Sequence, residues 1–117
     1  MAEFGELITI ATKLLQKTRE GKISWEPSFA SINGAFRCGL GDSFEFVISQ
    51  SQSASLFFNM LDNSGNSILS GESTPLPTSP EEETFSETLE KLYELARRQA
   101  LRVDEKVRVA SELLDRT

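Results

Sequence analysis

Ser43-Phe44-Glu45-Phe46-Val47-Ile48-Ser49-Gln50 and Ala54-Ser55-Leu56-Phe57-Phe58-Asn59-Met60-Leu61, followed by Asp62-Asn63-Ser64-Gly65-Asn66, decide how this chain folds. Successive side chains of a strand point to opposite faces. Phe44, Phe46 and Ile48 therefore share one face, with Ser43, Glu45, Val47 and Ser49 on the other. In the second segment Leu56, Phe58 and Met60 oppose Phe57, Asn59 and Leu61. Only Ser51-Gln52-Ser53 separates the two, and so short a loop requires antiparallel pairing. The run 62–66 carries Asn and Gly, which tolerate positive φ, and predicts another tight turn into a short last strand at Ile68 and Leu69.

Moving toward the N-terminus, Phe36, Cys38 and Leu40 alternate with Ala35, Arg37 and Gly39, and Gly39-Leu40-Gly41-Asp42 supplies turn chemistry. Ile23 and Trp25 alternate with polar neighbours until Pro27, which predicts a short edge strand. Before it, Phe4, Leu7, Ile8, Ala11, Leu14 and Leu15 recur at spacings of three and four, so Glu3 to about Thr18 is expected to be helical, with Gly21 as its stop.

Toward the C-terminus, Pro75, Pro77 and Pro80 make Glu72–Pro80 a stiff connection that cannot pair in a sheet. Ser79, Pro80 and Glu82 form a capping-box start, and Phe85, Leu89, Leu92, Tyr93 and Ala96 make an apolar stripe. The stripe runs on through Val103, Val107, Ala110, Leu113 and Leu114, with a break expected near Arg102–Asp104 and Asp104 as the cap of the final piece. The fold expected is α+β in one domain, 1–117. It is a two-layer sandwich with an N-terminal helix, an antiparallel meander of four to five strands, and one long or two short C-terminal helices. Phe44, Phe46, Leu56 and Phe58 form its greasy sheet face.

A chain of 117 residues fits one domain, and 38% hydrophobic residues, including eight Phe, suffice for a core. The net charge of −6 opposes non-specific attraction to phosphate backbones or anionic lipid. No apolar run approaches a membrane span, no signal sequence is apparent, and the single Cys38 excludes an internal disulfide, so a cytoplasmic setting is expected.

There is no histidine, which removes Ser-His-Asp and Cys-His nucleophilic systems and imidazole metal ligation. One cysteine makes neither a zinc site nor a redox pair, and no phosphate-loop or dinucleotide fingerprint is present. No catalytic residue, cofactor or metal is expected. Cys38 lies on the apolar side of its strand and reads as a small core hydrophobe. The segment 62–66 faintly resembles a calcium loop but lacks acidic alternation, and reads as a hairpin turn.

Three candidate binding features remain. Arg97, Arg98 and Arg102 make a locally basic segment, and in one unbroken helix Arg98, Arg102 and Lys106 align as a nucleic-acid stripe. The alternative is a solvated face with pairs Glu94–Arg98, Arg108–Glu112 and Glu87–Lys91, and the interleaved acids favour it. Trp25 and Phe29 beside Pro27 form either a partner platform or the closure of the core, the latter favoured for Trp25. Finally, Ser49, Ser51, Ser53 and Ser55 suggest a Ser-rich strand face, and Leu95 and Leu101 put apolar residues on more than one side of the C-terminal helix.

Leu14-Leu15-Gln16-Lys17-Thr18-Arg19-Glu20-Gly21-Lys22-Ile23-Ser24-Trp25 resembles the start of a group of small uncharacterised bacterial proteins. Leu92-Tyr93-Glu94-Leu95-Ala96-Arg97-Arg98-Gln99-Ala100 with Val103-Asp104 resembles their ending. The group often carries Gly where this chain has Arg102, which implies a helix end there. The resemblance covers both ends but not the central strands, brings no catalytic residue, and implies a bacterial cytoplasmic protein of unknown role.

The expected function is a non-catalytic module that binds a protein partner or forms a homo-oligomer. A small-ligand sensor with a pocket near Trp25 is the alternative, a nucleic-acid-associated protein comes third, and an enzyme is the least favoured class.

Overall fold

The computed structural model describes residues 3–28, 34–51, 53 and 55–117. Helix α1 spans Glu3–Arg19 and is followed by strands β1 (Glu26–Pro27), β2 (Ala35–Leu40), β3 (Phe44–Gln50), β4 (Leu56–Asp62) and β5 (Ser67–Glu72). Helices α2 (Pro80–Ala100) and α3 (Val103–Asp115) complete the chain. The strands form one sheet in the order β1-β2-β3-β4-β5, every neighbour antiparallel. The fold is the α+β arrangement that the alternating segments imply.

Register explains the core. Cys38, Phe46 and Met60 lie across one row, and Phe36, Ile48 and Phe58 across the next. These residues share the face covered by α1 and α2. Phe46 and Phe58 stack at 6.2 Å between ring centroids. Leu7, Ala11 and Leu14 of α1 and Phe85, Leu89, Leu92 and Ala96 of α2 complete the same buried cluster. The two helices run in the same direction. Phe4 packs on Phe85 at 5.9 Å near their starts, and Leu15 borders Leu95 near their ends.

Gly71 on β5 lets this layer sit close. A Cβ there would lie 2.7 Å from Leu7 Cδ1 and 3.1 Å from the Phe85 ring. The linker is fixed by side chains: Leu56 N–H donates to Ser73 Oγ and Thr74 N–H to Ser86 Oγ. Ser79 caps α2, its Oγ accepting from Glu82 N–H at 3.1 Å. The Glu82 carboxylate reaches back to Thr78 N–H at 2.7 Å, one residue before the expected partner of a capping box.

Several expectations need correction. Phe44 is not buried with Phe46, Leu56 and Phe58. It is 37% exposed beside Leu40 at 49%, because this last row of the inner face runs beyond the helices to the hairpin end. The first strand is only Glu26–Pro27, so Ile23 and Trp25 are buried from the segment before it, and Pro27 sits on the edge strand itself. Strand β5 is longer than Ile68–Leu69. A bulge between Met60↔Leu69 and Leu61↔Ser67 turns Ile68 out to solvent, as edge strands tolerate. The serine face does not form: Ser51 N–H bonds Ser55 O at 2.8 Å, closing a turn, and of the four only Ser49 lies on a strand.

The C-terminal break is present, and α3 starts two residues earlier than a cap at Asp104 requires. Leu101 ends α2 with its N–H on Arg97 O, and Arg102 adopts the left-handed conformation with φ 54. Asp104 does not cap α3. It sits in the first turn, where its carboxylate pairs with Arg98 and favours the positive helix end.

Candidate interaction surface

Helix α3 is the element the rest of the fold does not explain. It is strongly amphipathic, yet none of its side chains is buried. Val107, Val109, Leu113 and Leu114 are 59%, 40%, 56% and 73% exposed. Val103, Val107, Ala110 and Leu114 are spaced four, three and four apart and form one stripe; Val109 and Leu113 widen it on one side. A groove of about 330 Å³ runs along that side between Arg102, Lys106, Val109 and Leu113. Asp104, Arg108, Glu112 and Asp115 occupy the opposite face. Solvated apolar surface at this density on one helix is a feature of docking elements.

The local reason for α3 is clear. Arg102 is the only non-glycine residue with positive φ among the described residues. An L-residue is disfavoured there, so the break is held by what surrounds it. Leu101 N–H and Arg102 N–H close the end of α2, and Lys106 N–H opens α3 on Arg102 O. The redirected helix leaves the two-layer body, and its stripe finds no element to cover.

The arginines are engaged by acids. Arg97 donates to both Glu94 carboxylate oxygens at 3.1 and 2.7 Å, which holds Glu94 below the usual carboxylate range and raises Arg97. Arg98 pairs with Asp104 and lies 3.8 Å from Glu94, and Arg102 lies 3.9 Å from Glu105. Arg108–Glu112 forms at 2.9 Å; no Glu87–Lys91 pair occurs among the described residues. Because Arg102 is left-handed, Arg98, Arg102 and Lys106 do not sit on one unbroken helix.

Trp25 is 4% exposed and belongs to the core. Its Nε1–H donates to Thr18 Oγ1 at 2.9 Å, and its backbone N–H to Gln99 Oε1 at 2.6 Å. Of the two roles open to it from sequence, core closure is the one its burial matches. Phe29 lies outside the described residues.

The concave features are open and shared by many charges. One groove of about 510 Å³ lies between Leu15 and Arg19 of α1 and Lys91, Leu95 and Arg98 of α2. Another, of about 390 Å³, lies among Gln50, Ser73, Tyr93 and Arg97. Neither contains Trp25. Cys38 is buried, and burial pushes its thiol up to about 12. Asp62 accepts from Asn66 N–H and Ser64 N–H at 2.9 Å, which lowers its pKa and closes the hairpin in the manner of an Asx turn. Among the described residues no three Cys, Asp or Glu converge as a metal-ligand set, and no helix is long and apolar enough to cross a membrane.

Sequence reading registered the stripe of α3 but not that it lacks a partner. The signal was available: six- and seven-residue strands are covered by two helices, and a third amphipathic helix has no sheet left. No family model, curated protein or solved structure matches the chain.

Proposed function

We propose that this chain is a non-catalytic protein-interaction module whose docking surface is the apolar face of α3. The observation that supports it is the exposure of Val107, Val109, Leu113 and Leu114 on a helix with no buried residue. Burying such side chains is worth about 1.5–3 kcal/mol each, so a complementary surface gains affinity from a few contacts. The arrangement resembles helix-in-groove recognition, in which anchors at i, i+3, i+4 and i+7 carry the contact.

The nucleic-acid reading has less support, because Arg97, Arg98 and Arg102 each face an acid and the net charge is −6. The ligand-sensor reading rested on a pocket beside Trp25, and that indole packs inside the core.

The test is photo-cross-linking. A photo-reactive amino acid in place of Leu113, and a control in place of Glu112 on the polar face, are irradiated in the purified protein and in cell extract. The reading expects a protein adduct, with itself or with another chain, from position 113 and not from 112. Equal yields at the two positions, or no adduct from either, contradict it.

A further inference from the structure

We infer that the free edge of β5 is a peptide-binding site, at which an extended segment of another protein adds to the five-stranded sheet as a further strand. The site shares no residue with α3 and stands apart from the docking reading above.

The sheet ends differently on its two sides. Its β1 edge is two residues long and contains Pro27, and a short edge with proline resists further pairing. The β5 edge runs over six residues, Ser67–Glu72. It carries no lysine, arginine or proline, and Glu72 is its one charge. Register says which backbone groups are free. Ser73 N–H donates to Leu56 O, and in the same ladder Gly71 pairs with Phe58 and Leu69 with Met60. Antiparallel strands bond at every second residue, so Ser70 and Glu72 turn their N–H and C=O groups away from β4. Among the described residues no hydrogen bond reaches those groups. A groove of about 300 Å³ follows the edge along Ser67, Ile68, Leu69 and Ser70.

The chemistry of the edge selects its occupant. Two donor–acceptor pairs two residues apart, about 7 Å, match the repeat of another extended chain. A helix satisfies its own backbone groups and offers none. Main-chain bonds then give affinity, and the places for alternate side chains give specificity. On the helix side those side chains meet Leu69 and Ile10, both half-buried against the core. Ile10 lies on the flank of α1 turned away from α2, because Leu7 meets Gly71 while Phe4 and Leu15 turn toward Phe85 and Leu95. On the open face they lie beside Ser70 and Glu72. The segment that fits has apolar residues at alternate positions and a lysine or arginine opposite Glu72. The net charge of −6 favours such a basic segment and opposes a second copy and an acidic peptide alike. The bulge at Ile68 confines the regular ladder to Leu69–Glu72, so the added strand makes few bonds and binds weakly.

A phage-displayed library of random peptides about ten residues long, selected against the purified protein, tests the site. An enriched peptide is synthesised and titrated into isotope-labelled protein. Enriched peptides are expected to alternate apolar and polar residues and to carry a lysine or arginine. The Ser70 and Glu72 amides are expected to gain protection from exchange on binding, while those of Leu69 and Gly71 are protected with and without peptide. Ser70→Pro removes an outward N–H and no bond to β4. It is expected to keep the circular dichroism of the parent chain and to weaken the peptide about tenfold. A second measurement leaves the protein unchanged: N-methylation of the peptide at alternate residues is expected to abolish binding in one phase of the alternation and to spare it in the other. No enriched peptide, equal tolerance of N-methylation in both phases, or binding indifferent to Ser70→Pro overturns the site. Binding lost in Leu114→Glu and kept in Ser70→Pro overturns it too, and leaves the docking reading standing. A mass near twice 13.0 kDa that Ser70→Pro returns to 13.0 kDa assigns the edge to a second copy and overturns a foreign peptide as its occupant.

Discussion

Trp25 Nε1–H donates to Thr18 Oγ1 at 2.9 Å, and that same hydroxyl donates to Leu14 O at 2.7 Å. Both side chains are buried. One hydroxyl thus satisfies the indole and fastens the end of α1 to the segment that leads into β1. Thr18→Val keeps the shape and removes the acceptor, leaving a buried N–H without a partner. The expected cost is about 1–3 kcal/mol, read as a lower urea midpoint, while Thr18→Ser retains most of the stability. A Thr18→Val midpoint equal to that of the parent chain contradicts this role.

Gly71 lies against two buried side chains, Leu7 and Phe85. Gly71→Ala drives a methyl against Leu7 Cδ1 and the Phe85 ring, which are 2% and 0% exposed. Overpacking of this kind costs about 1–3 kcal/mol. Thermal unfolding is expected to show the loss, and Leu7→Ala combined with Gly71→Ala is expected to cost less than the two changes added. Strict additivity counts against the close approach.

Arg102 occupies a left-handed position at 75% side-chain exposure, so little packing opposes its replacement. An L-residue there costs roughly 1–2 kcal/mol, part of which glycine returns as chain entropy. Arg102→Gly is expected to slow hydrogen exchange in α3 at low protein concentration, and Arg102→Val to accelerate it. The opposite order contradicts the φ assigned to this residue.

Much of the fold was legible because alternation and helical period are local signals. Phe46, Ile48, Leu56 and Phe58 fall on the buried face that period two assigns them, and Ser79 caps α2 through a hydroxyl its spacing foretells. What failed was set by extent rather than pattern. Phe44 has the right parity, but no helix reaches its row. Ile68 has strand character, but a bulge turns it out. The exposed face of α3 was half legible: its stripe is written in the sequence, whereas its lack of a covering element depends on how far α1 and α2 already cover the sheet. The break at Arg102 carries no glycine, so its position follows from where tertiary packing of α2 ends.

Cys38 provides a chemical reporter. With its pKa raised to about 12 by burial, the thiol stays protonated in the folded state and is expected to react with a disulfide reagent at pH 8 only after unfolding. In the unfolded chain the thiol ionises near its ordinary value, about 8.5. Between that pH and about 12 the unfolded state holds fewer protons, so stability falls as pH rises, by at most about 1.4 kcal/mol per unit from this group. Cys38→Ala is expected to flatten that alkaline slope. Rapid labelling of the folded protein, or an unchanged slope in the variant, contradicts the burial.

The most direct measurement of the account's central claim is hydrogen exchange of the α3 amides in isotope-labelled protein, alone and in cell extract, in the parent chain and in Leu114→Glu. The expected result is that α3 gains protection in the extract, that the β3 and β4 amides do not change, and that Leu114→Glu abolishes the gain. Exchange in α3 that is the same with and without extract contradicts the claim that its open apolar face is a docking surface.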